Sequence, residues 1–174
     1  AYITGYTGTL PDVVVPAVID GYPVYAIENL RSPILTHVVV SEGIEEIGEF
    51  AFMHYLNRDE EYYVNNLVSV SLPQSLKVIS DWGFSGQENL QEITFGGVEQ
   101  IGRGAFSGCS KLTQITLPDT LTTIEWKAFE YSGLTSLTIP VNVSFIRDTS
   151  FIENCSSLTT LRVAEGNPYY EMED

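Results

Sequence analysis

The chain is poor in the residues that most metal, redox and acid–base sites require. Only two histidines, His37 and His54, and two cysteines, Cys109 and Cys155, occur among its 174 residues. Two cysteines are too few to define a disulfide framework, and these four side chains show no zinc-ligand spacing. We therefore expect free, buried cysteines, no metal and no cofactor.

Basic residues are also scarce. Eight Lys and Arg stand against 23 Asp and Glu, which gives a formal charge of -15. Phosphate recognition requires clustered cations, so nucleic acid and anionic membranes are disfavoured as partners. No apolar run approaches the roughly 20 residues of a membrane span, so we expect no membrane insertion. The sequence starts at Ala1 without a signal-peptide layout, so either the protein is cytoplasmic or a leader was removed.

A repeat of about 22 residues is the dominant feature. The segments IGRGAFSGCSKLTQITLP, 101–118, and IEWKAFEYSGLTSLTIP, 124–140, share one frame, although almost every polar residue differs. The conserved frame is therefore structural rather than catalytic. Each unit reads L-x-x-I-x-L-P, then an apolar pair ending in Ile, then A-F and a polar turn. The leading leucines are Leu10, Leu35, Leu67, Leu90, Leu112, Leu134 and Leu158.

Local chemistry predicts how each unit folds. The segments LVSVSLP, LTQITLP and LTSLTIP alternate apolar and hydroxyl residues, which is typical of strands with one buried face. Pro73, Pro118 and Pro140 end these strands. About 16 residues separate successive strands, so they stack in parallel rather than as hairpins. The A-F pairs predict short helical or 3-10 turns, with phenylalanine pointing inward. These phenylalanines are Phe52, Phe84, Phe106, Phe129 and Phe151.

With the L-T-Q-I-T-L-P segment, the A-F pair and the G-C-S and N-C-S turns in view, the chain resembles the BspA-like bacterial surface leucine-rich-repeat family. Its opening, ITGYTGTLPDVVVPAVIDGYPVYAIE, is similar to the entry segment of such proteins. The resemblance implies an α/β repeat: a right-handed leucine-rich-repeat solenoid, parallel and strand-rich, with short helical or 3-10 turns. It also implies an extracellular or cell-surface location, some adhesin-like relatives, and no catalytic motif.

The repeat spacing predicts a single solenoid of about seven coils over residues 1–174. Residues 1–34 form an N-terminal entry coil, 35–66 an enlarged coil, 67–157 the regular coils, and 158–174 a last partial coil. The enlarged coil is about 10 residues longer than the regular repeat of 22 residues. Insertions of this kind map to loops.

Three alternative sites are weak on sequence grounds. The run GRGAFSG, 102–108, lacks the full G-x-G-x-x-G spacing, and its phenylalanine occupies the place of a phosphate. Ser85 in GFSGQ misses the G-x-S-x-G elbow. Four carboxylates could attract calcium, but they lack a glycine-containing ligand loop, which favours a solvated edge. They are Glu42, Glu45, Glu46 and Glu49.

Two surfaces remain candidates for ligand binding. The first is the outward face of the stacked strands, which is rich in hydroxyls and which we call the strand-face strip. It comprises Thr94, Gln114, Thr116, Ser136, Thr138 and Thr160. The second is the acidic loop of the enlarged coil, which comprises Asp59, Glu60, Glu61, Tyr62 and Tyr63. Thr and Ser also suit exposed strands for purely structural reasons, and loops tolerate added length cheaply.

These features predict a non-enzymatic, secreted binding module of a bacterial surface protein. It would act in adhesion by recognising a protein or a glycan through the exposed strand face. The alternative is a structural spacer that presents neighbouring domains and binds nothing. We expect a monomeric domain within a longer chain.

Overall fold

The computed structural model describes residues 1–30, 32–53 and 66–171. Nearly all of its regular structure is short β-strand, and the described part contains a single 3-10 helix, Thr149–Ile152. In chain order the strands are β1 (Tyr2–Ile3), β2 (Asp12–Val15), β3 (Val18–Ile19), β4 (Tyr22–Pro23), β5 (Ala26–Ile27), β6 (His37–Val40), β7 (Glu46–Ile47), β8 (Ser69–Ser71), β9 (Val78–Ile79), β10 (Glu92–Thr94), β11 (Gln100–Ile101), β12 (Thr123–Ile124), β13 (Ser136–Ile139), β14 (Phe145–Ile146) and β15 (Thr160–Val163).

The strands build a parallel β-solenoid of about six turns. One side is a seven-stranded sheet in the order β1-β5-β7-β9-β11-β12-β14, and the other side carries a four-stranded sheet, β10-β8-β6-β2, and a separate pair, β13-β15. The predicted parallel stacking is confirmed, and the exception among the described strands is the hairpin β3-β4. The α/β designation is not confirmed, because the described residues contain no α-helix and the connecting turns close through bonds between residues three apart, such as Ser107 N to the Gly104 carbonyl at 3.0 Å.

Like residues stack on like from one coil to the next. In the seven-stranded sheet each isoleucine pairs with the isoleucine of the adjacent coil, from Ile3 opposite Ile27 to Ile124 opposite Ile146. The phenylalanine rings stack at centroid distances of 4.8, 5.4 and 5.6 Å from Phe52 to Phe129. Planes within 14° of parallel show that the rings keep one orientation. We call this stack the phenylalanine ladder.

Left-handed backbone allows each coil to turn sharply before its phenylalanine. Phe50, Trp82, Gly104 and Lys127 occupy equivalent places, with φ between 56° and 59°. A positive φ is unfavourable for side chains other than glycine, so three of these four residues are held there by their surroundings. At Gly104 a Cβ would also lie 2.1 Å from the Trp82 ring, which leaves room for glycine alone.

The turns between coils also satisfy the carbonyl groups of the phenylalanine ladder. Gln87 Nε2 donates to the Phe52 carbonyl at 2.6 Å, and Cys109 Sγ donates to the Phe84 carbonyl at 3.3 Å. Cys155 Sγ does the same for the Phe129 carbonyl at 3.0 Å. Both cysteines are free thiols; Cys109 is buried as expected, whereas Cys155 is only half-buried. They are therefore weak hydrogen-bond donors as well as small apolar fillers.

Two details of the predicted frame were wrong. Leu10 is 65% exposed and does not lead a buried coil. Its backbone N–H and C=O instead bond the Tyr6 hydroxyl at 3.1 and 3.0 Å, which turns the chain away from the core. The LTQITLP segment, 112–118, is not a strand, although its sequence alternates like those of β8 and β13.

Candidate functional site

The strand-face strip is exposed, as its position in the alternation requires. Thr94 ends β10, Ser136 and Thr138 alternate with buried residues in β13, and all three face solvent. Gln114 and Thr116 are also exposed, whereas Thr160 in β15 is half-buried. The polar side chains therefore share one face, but the sheet beneath them is interrupted.

The interruption is a segment without sheet pairing, which we call the open segment, residues 113–117. It lies between β10 and β13, whose sheets are separate. Within the described chain, the backbone N–H groups of Gln114, Ile115 and Thr116 donate no hydrogen bond to a neighbouring coil. The Thr113 carbonyl, at its start, still accepts from Thr135 N at 3.0 Å. The coil is thus attached at its ends and unpaired in the middle.

A groove follows the open segment. It encloses about 690 Å³ and is lined by hydroxyl, amide and apolar groups. Its floor includes Ile115, which is half-buried although the equivalent Val70 and Leu137 are almost fully buried. Its lining residues are Gln91, Glu92, Ile93, Thr94, Phe95, Thr113, Gln114, Ile115, Thr116 and Pro118. One carboxylate and no cation face it.

The open segment follows the coil that is one residue short. Between Phe95 and Ile101 the chain has one residue fewer than between the equivalent Leu117 and Ile124. Gly96 in this shortened turn packs so closely on Pro73 that a Cβ would lie 1.7 Å from the Pro73 carbonyl oxygen. The strands on either side of this turn nevertheless pair in register, since β10 pairs with β8 and β11 pairs with both β9 and β12.

The acidic loop lies outside the described residues, so Asp59, Glu60, Glu61, Tyr62 and Tyr63 stay a prediction. His54, one of the two histidines, also lies outside the described residues.

The other histidine, His37, forms an exposed polar cluster with Asp12 and Thr36. Asp12 Oδ1 lies 2.7 Å from His37 Nδ1, and Thr36 Oγ1 lies 3.0 Å from the same ring nitrogen. In a catalytic triad the carboxylate and the nucleophile contact opposite nitrogens of the imidazole, so this cluster does not have that arrangement. Its hydrogen bond with His37 lowers the pKa of Asp12.

Two of the four carboxylates considered for calcium, Glu42 and Glu46, bind protein groups instead. Glu42 accepts from the backbone N–H groups of Gln74 and Ser75 at 2.8 and 3.0 Å, and the Gln74 bond lowers the pKa of Glu42. Glu46 accepts from the Ser80 hydroxyl at 2.6 Å. Within residues 1–30, 32–53 and 66–171, no group of three or more Asp, Glu, His or Cys is arranged to hold a metal ion.

The GRGAFSG run is a structural turn. The N–H groups of Gly104, Phe106 and Gly108 donate to carbonyls of the following coil at 2.9, 2.7 and 2.8 Å. A phosphate-binding loop keeps such donors free for the ligand. Phe106 is fully buried in the phenylalanine ladder. The occupied N–H donors and the buried phenylalanine ring each exclude phosphate binding at this turn.

Parallel coils, stacked isoleucines and a repeating leucine frame define a leucine-rich-repeat solenoid. The chain belongs to the BspA type leucine rich repeat region family, whose model matches six copies over residues 57–169. This match indicates no catalytic family. A comparison with the curated proteins finds no match.

Solved bacterial structures share the fold. A leucine-rich repeat protein of T. pallidum is 28% identical, with a TM-score of 0.79, over 93% of this chain and 77% of that one. A leucine rich cell surface protein of Faecalibacterium prausnitzii is 28% identical, with a TM-score of 0.56, over 93% and 50%. A leucine-rich repeat protein of Bacteroides ovatus is 26% identical, with a TM-score of 0.64, over 73% and 33%. The chain thus spans only part of these relatives.

Among the described residues, no helix is long and apolar enough to cross a bilayer.

Proposed function

We propose that the chain is a non-enzymatic binding module of a bacterial surface protein, and that the strand-face strip recognises a protein ligand or a glycan. The observation that carries this proposal is the groove over the open segment. It joins Thr94, Gln114 and Thr116 in one depression of about 690 Å³. Concave surfaces that combine apolar floors with a few polar groups are the usual binding sites of proteins.

Two further observations support recognition at this place. The half-buried Ile115 and Phe95 provide apolar area that a ligand can cover, and Phe95 is anchored edge-on against Phe106 at 5.9 Å. The unpaired N–H groups of the open segment are also donors that a ligand or water can satisfy.

The second candidate function is a structural spacer. Stacked repeats with a continuous core form extended rods whether or not they bind a ligand. The core runs the length of the described coils. A spacer would bind nothing, so the two functions differ in a simple binding measurement.

The proposed location is the cell surface. The Faecalibacterium prausnitzii relative is described as a cell surface protein. The charge of -15 keeps the module soluble and away from anionic lipid.

The experiment compares two variants on immobilised fibronectin, laminin, collagen and a glycan array. In the first variant, Thr116→Arg is combined with Thr138→Glu; in the second, residues 57–65 are deleted. If the strip binds, the double substitution weakens the interaction by at least about tenfold, and the deletion leaves it intact. Ser156→Arg, in an exposed turn, is the matched control.

The reverse result, with binding lost only on deletion, would assign recognition to the acidic loop. That binding should also weaken clearly with salt, whereas strip binding should depend on it only modestly. Unchanged binding in both variants would refute both surfaces, and the absence of any saturable ligand would favour the spacer.

A further inference from the structure

A trough runs along the outer surface of the seven-stranded sheet, on a different side of the coils from the strip. Its floor is formed by the small residues that follow the buried isoleucines, including Gly48, Ser80 and Gly102. A Cβ at Gly102 would lie 2.7 Å from Asp81 N, and one at Gly48 would lie 3.0 Å from the Ile27 carbonyl oxygen. Close packing between coils therefore keeps side chains out of the floor.

Three depressions of about 410, 430 and 600 Å³ succeed one another along this trough. The first and second share Glu46 and Glu49, and the second and third share Asp81 and Glu125. The trough is thus continuous over several coils. At roughly 4.8 Å for each coil, it suits a linear ligand better than a single compact one.

The third depression has an unusual composition for this molecule. It contains Trp126, one of only two tryptophans, and two of the eight basic residues, Arg103 and Arg147. The Trp126 residue is 36% exposed, which is high for an indole in a molecule with a continuous core. Exposed Trp beside Arg is typical of binding surfaces.

Three charged groups of this depression, Asp81, Arg103 and Asp148, are held in place before any ligand binds. Arg103 donates from Nη2 and Nε to Asp81 Oδ2 at 2.7 and 3.2 Å, and from its backbone N to Asp81 Oδ1 at 2.7 Å. Asp148 accepts from the backbone N and the hydroxyl of Ser150, which lower the pKa of Asp148. Pre-ordered side chains lose little entropy when a ligand binds.

The remaining groups are available for a ligand. Within the described part of the chain, the Arg147 guanidinium forms no ion pair and donates no side-chain hydrogen bond. The Lys127 ammonium lies 4.8 Å from the centre of the Trp126 ring, where a cation–π contact steadies the indole. A partly exposed ring and a guanidinium with free hydrogen-bond donors therefore line the same depression, although Arg147 also interacts electrostatically with Asp148.

The charge pattern selects the class of ligand. Three carboxylates, Asp81, Glu125 and Asp148, alternate with the two guanidiniums. A polyanion would be repelled by these carboxylates and by the total charge of -15. A polycation would be attracted by the total charge, but Asp81 is already paired with Arg103, and Arg147 already interacts with Asp148, so few carboxylates here are left for it. A neutral ligand with many hydroxyl groups can bond both signs at once, because a hydroxyl both donates and accepts.

We propose that this end of the trough binds a neutral oligosaccharide. The apolar face of one sugar ring packs on Trp126, since an indole offers a large apolar surface. Arg147 donates to hydroxyl oxygens, and Glu125 and Asp148 accept from hydroxyl groups. This site is separate from the strand-face strip and does not depend on the proposed function.

The test is calorimetric titration of the full chain with cellohexaose, chitohexaose and maltohexaose, with hyaluronan as the acidic counterpart. We expect at least one neutral hexasaccharide to bind with a Kd below about 1 mM. Trp126→Ala should weaken it by at least about tenfold, Trp126→Phe by less, and Arg147→Gln to an intermediate extent. Tyr22→Ala, which removes an exposed aromatic ring elsewhere, is the matched control and should bind normally.

A second readout, by NMR, uses the wild type and so does not depend on whether a variant folds. The chain has two indole N–H signals, from Trp82 and Trp126. On titration of the wild type, the Trp126 signal should move and the Trp82 signal should not, because Trp82 packs on Gly104. Binding of hyaluronan alone, binding that survives Trp126→Ala, or no binding of any neutral hexasaccharide at about 10 mM would overturn the proposal. The double variant Thr116→Arg, Thr138→Glu of the strand-face strip should bind the oligosaccharide as the wild type does.

Discussion

The two sides of a single coil differ in how tightly they are held. We call the side with the phenylalanine ladder and the seven-stranded sheet the tight side, and the side with the open segment the open side. In the coil that begins at Leu112, Phe129 stacks on Phe106 at 5.6 Å and Ile124 pairs with isoleucines of both neighbouring coils. On the opposite side of the same coil, residues 113–117 have no strand partner. The comparison shows that this coil keeps its phenylalanine and isoleucine stacks although its strand face has no sheet pairing. The strand face can then vary without loss of the fold.

The largest expected effect is the loss of one ring from the tight side. Phe106 is fully buried between two stacked phenylalanines, so Phe106→Ala should reduce the free energy of unfolding by about 3 to 5 kcal/mol. Urea denaturation measures this change. Ile115→Ala, on the open side, should cost less than about 2 kcal/mol because Ile115 is only half-buried. Equal losses from the two substitutions would contradict the comparison.

A second prediction concerns the shortened turn that precedes the open segment. In Gly96→Ala the new Cβ would lie 1.7 Å from the Pro73 carbonyl oxygen and 2.1 Å from its carbon, and backbone atoms cannot move aside cheaply. We expect a loss of about 2 to 4 kcal/mol in thermal or urea unfolding. Gly5→Ala, whose Cβ would meet nothing within 4 Å, is the control and should change stability by less than about 1 kcal/mol. A silent Gly96→Ala would mean that the turn is not close-packed.

The buried thiol of the tight side predicts a pH effect. Burial raises the pKa of Cys109 from 9.0 to about 12. Above pH 9.0 the unfolded chain releases this proton while the folded protein keeps it, so stability should fall as the pH rises towards 12. Relative to Cys109→Ala, the wild type should lose about 1.4 kcal/mol for each pH unit in that range. Parallel pH profiles of the two proteins would show that Cys109 is accessible to water.

The smallest effect is expected from the strand face. Thr116 lies in the open segment, whereas Thr138 occupies an equivalent exposed place in β13 opposite Arg162. Thr138→Ala should cost roughly 0.5 kcal/mol through lost strand propensity and cross-strand contact, and Thr116→Ala should cost less. A larger loss at Thr116 than at Thr138, measured by urea denaturation, would indicate that residue 116 is paired in solution.

Much of the tight side was predictable, because it depends on periodic residues. The equal offsets of Ile124 and Phe129 from Leu112, and of Ile79 and Phe84 from Leu67, indicate that both ladders stack from coil to coil. Stacking of identical residues needs no information beyond their spacing.

The open segment and the trough were not predicted, for different reasons. LTQITLP alternates as regularly as LTSLTIP, so its own residues give no sign that it lacks a strand partner. The trough depends on residues two positions after each isoleucine, where Asp81, Arg103 and Trp126 follow one another. Alignment of the coils on their isoleucines would have placed these side chains together. Their polarity varies too much to form a repeat signal.

The central claim is that one coil is held firmly at its phenylalanine and is unpaired at its strand face. Amide hydrogen exchange followed by NMR tests it most directly, because exchange reports the hydrogen bonding of each N–H group. The N–H groups of Gln114, Ile115 and Thr116 should exchange much faster than those of Phe106 and Val70. Protection of residues 114–116 equal to that of Val70 in β8 would contradict the claim.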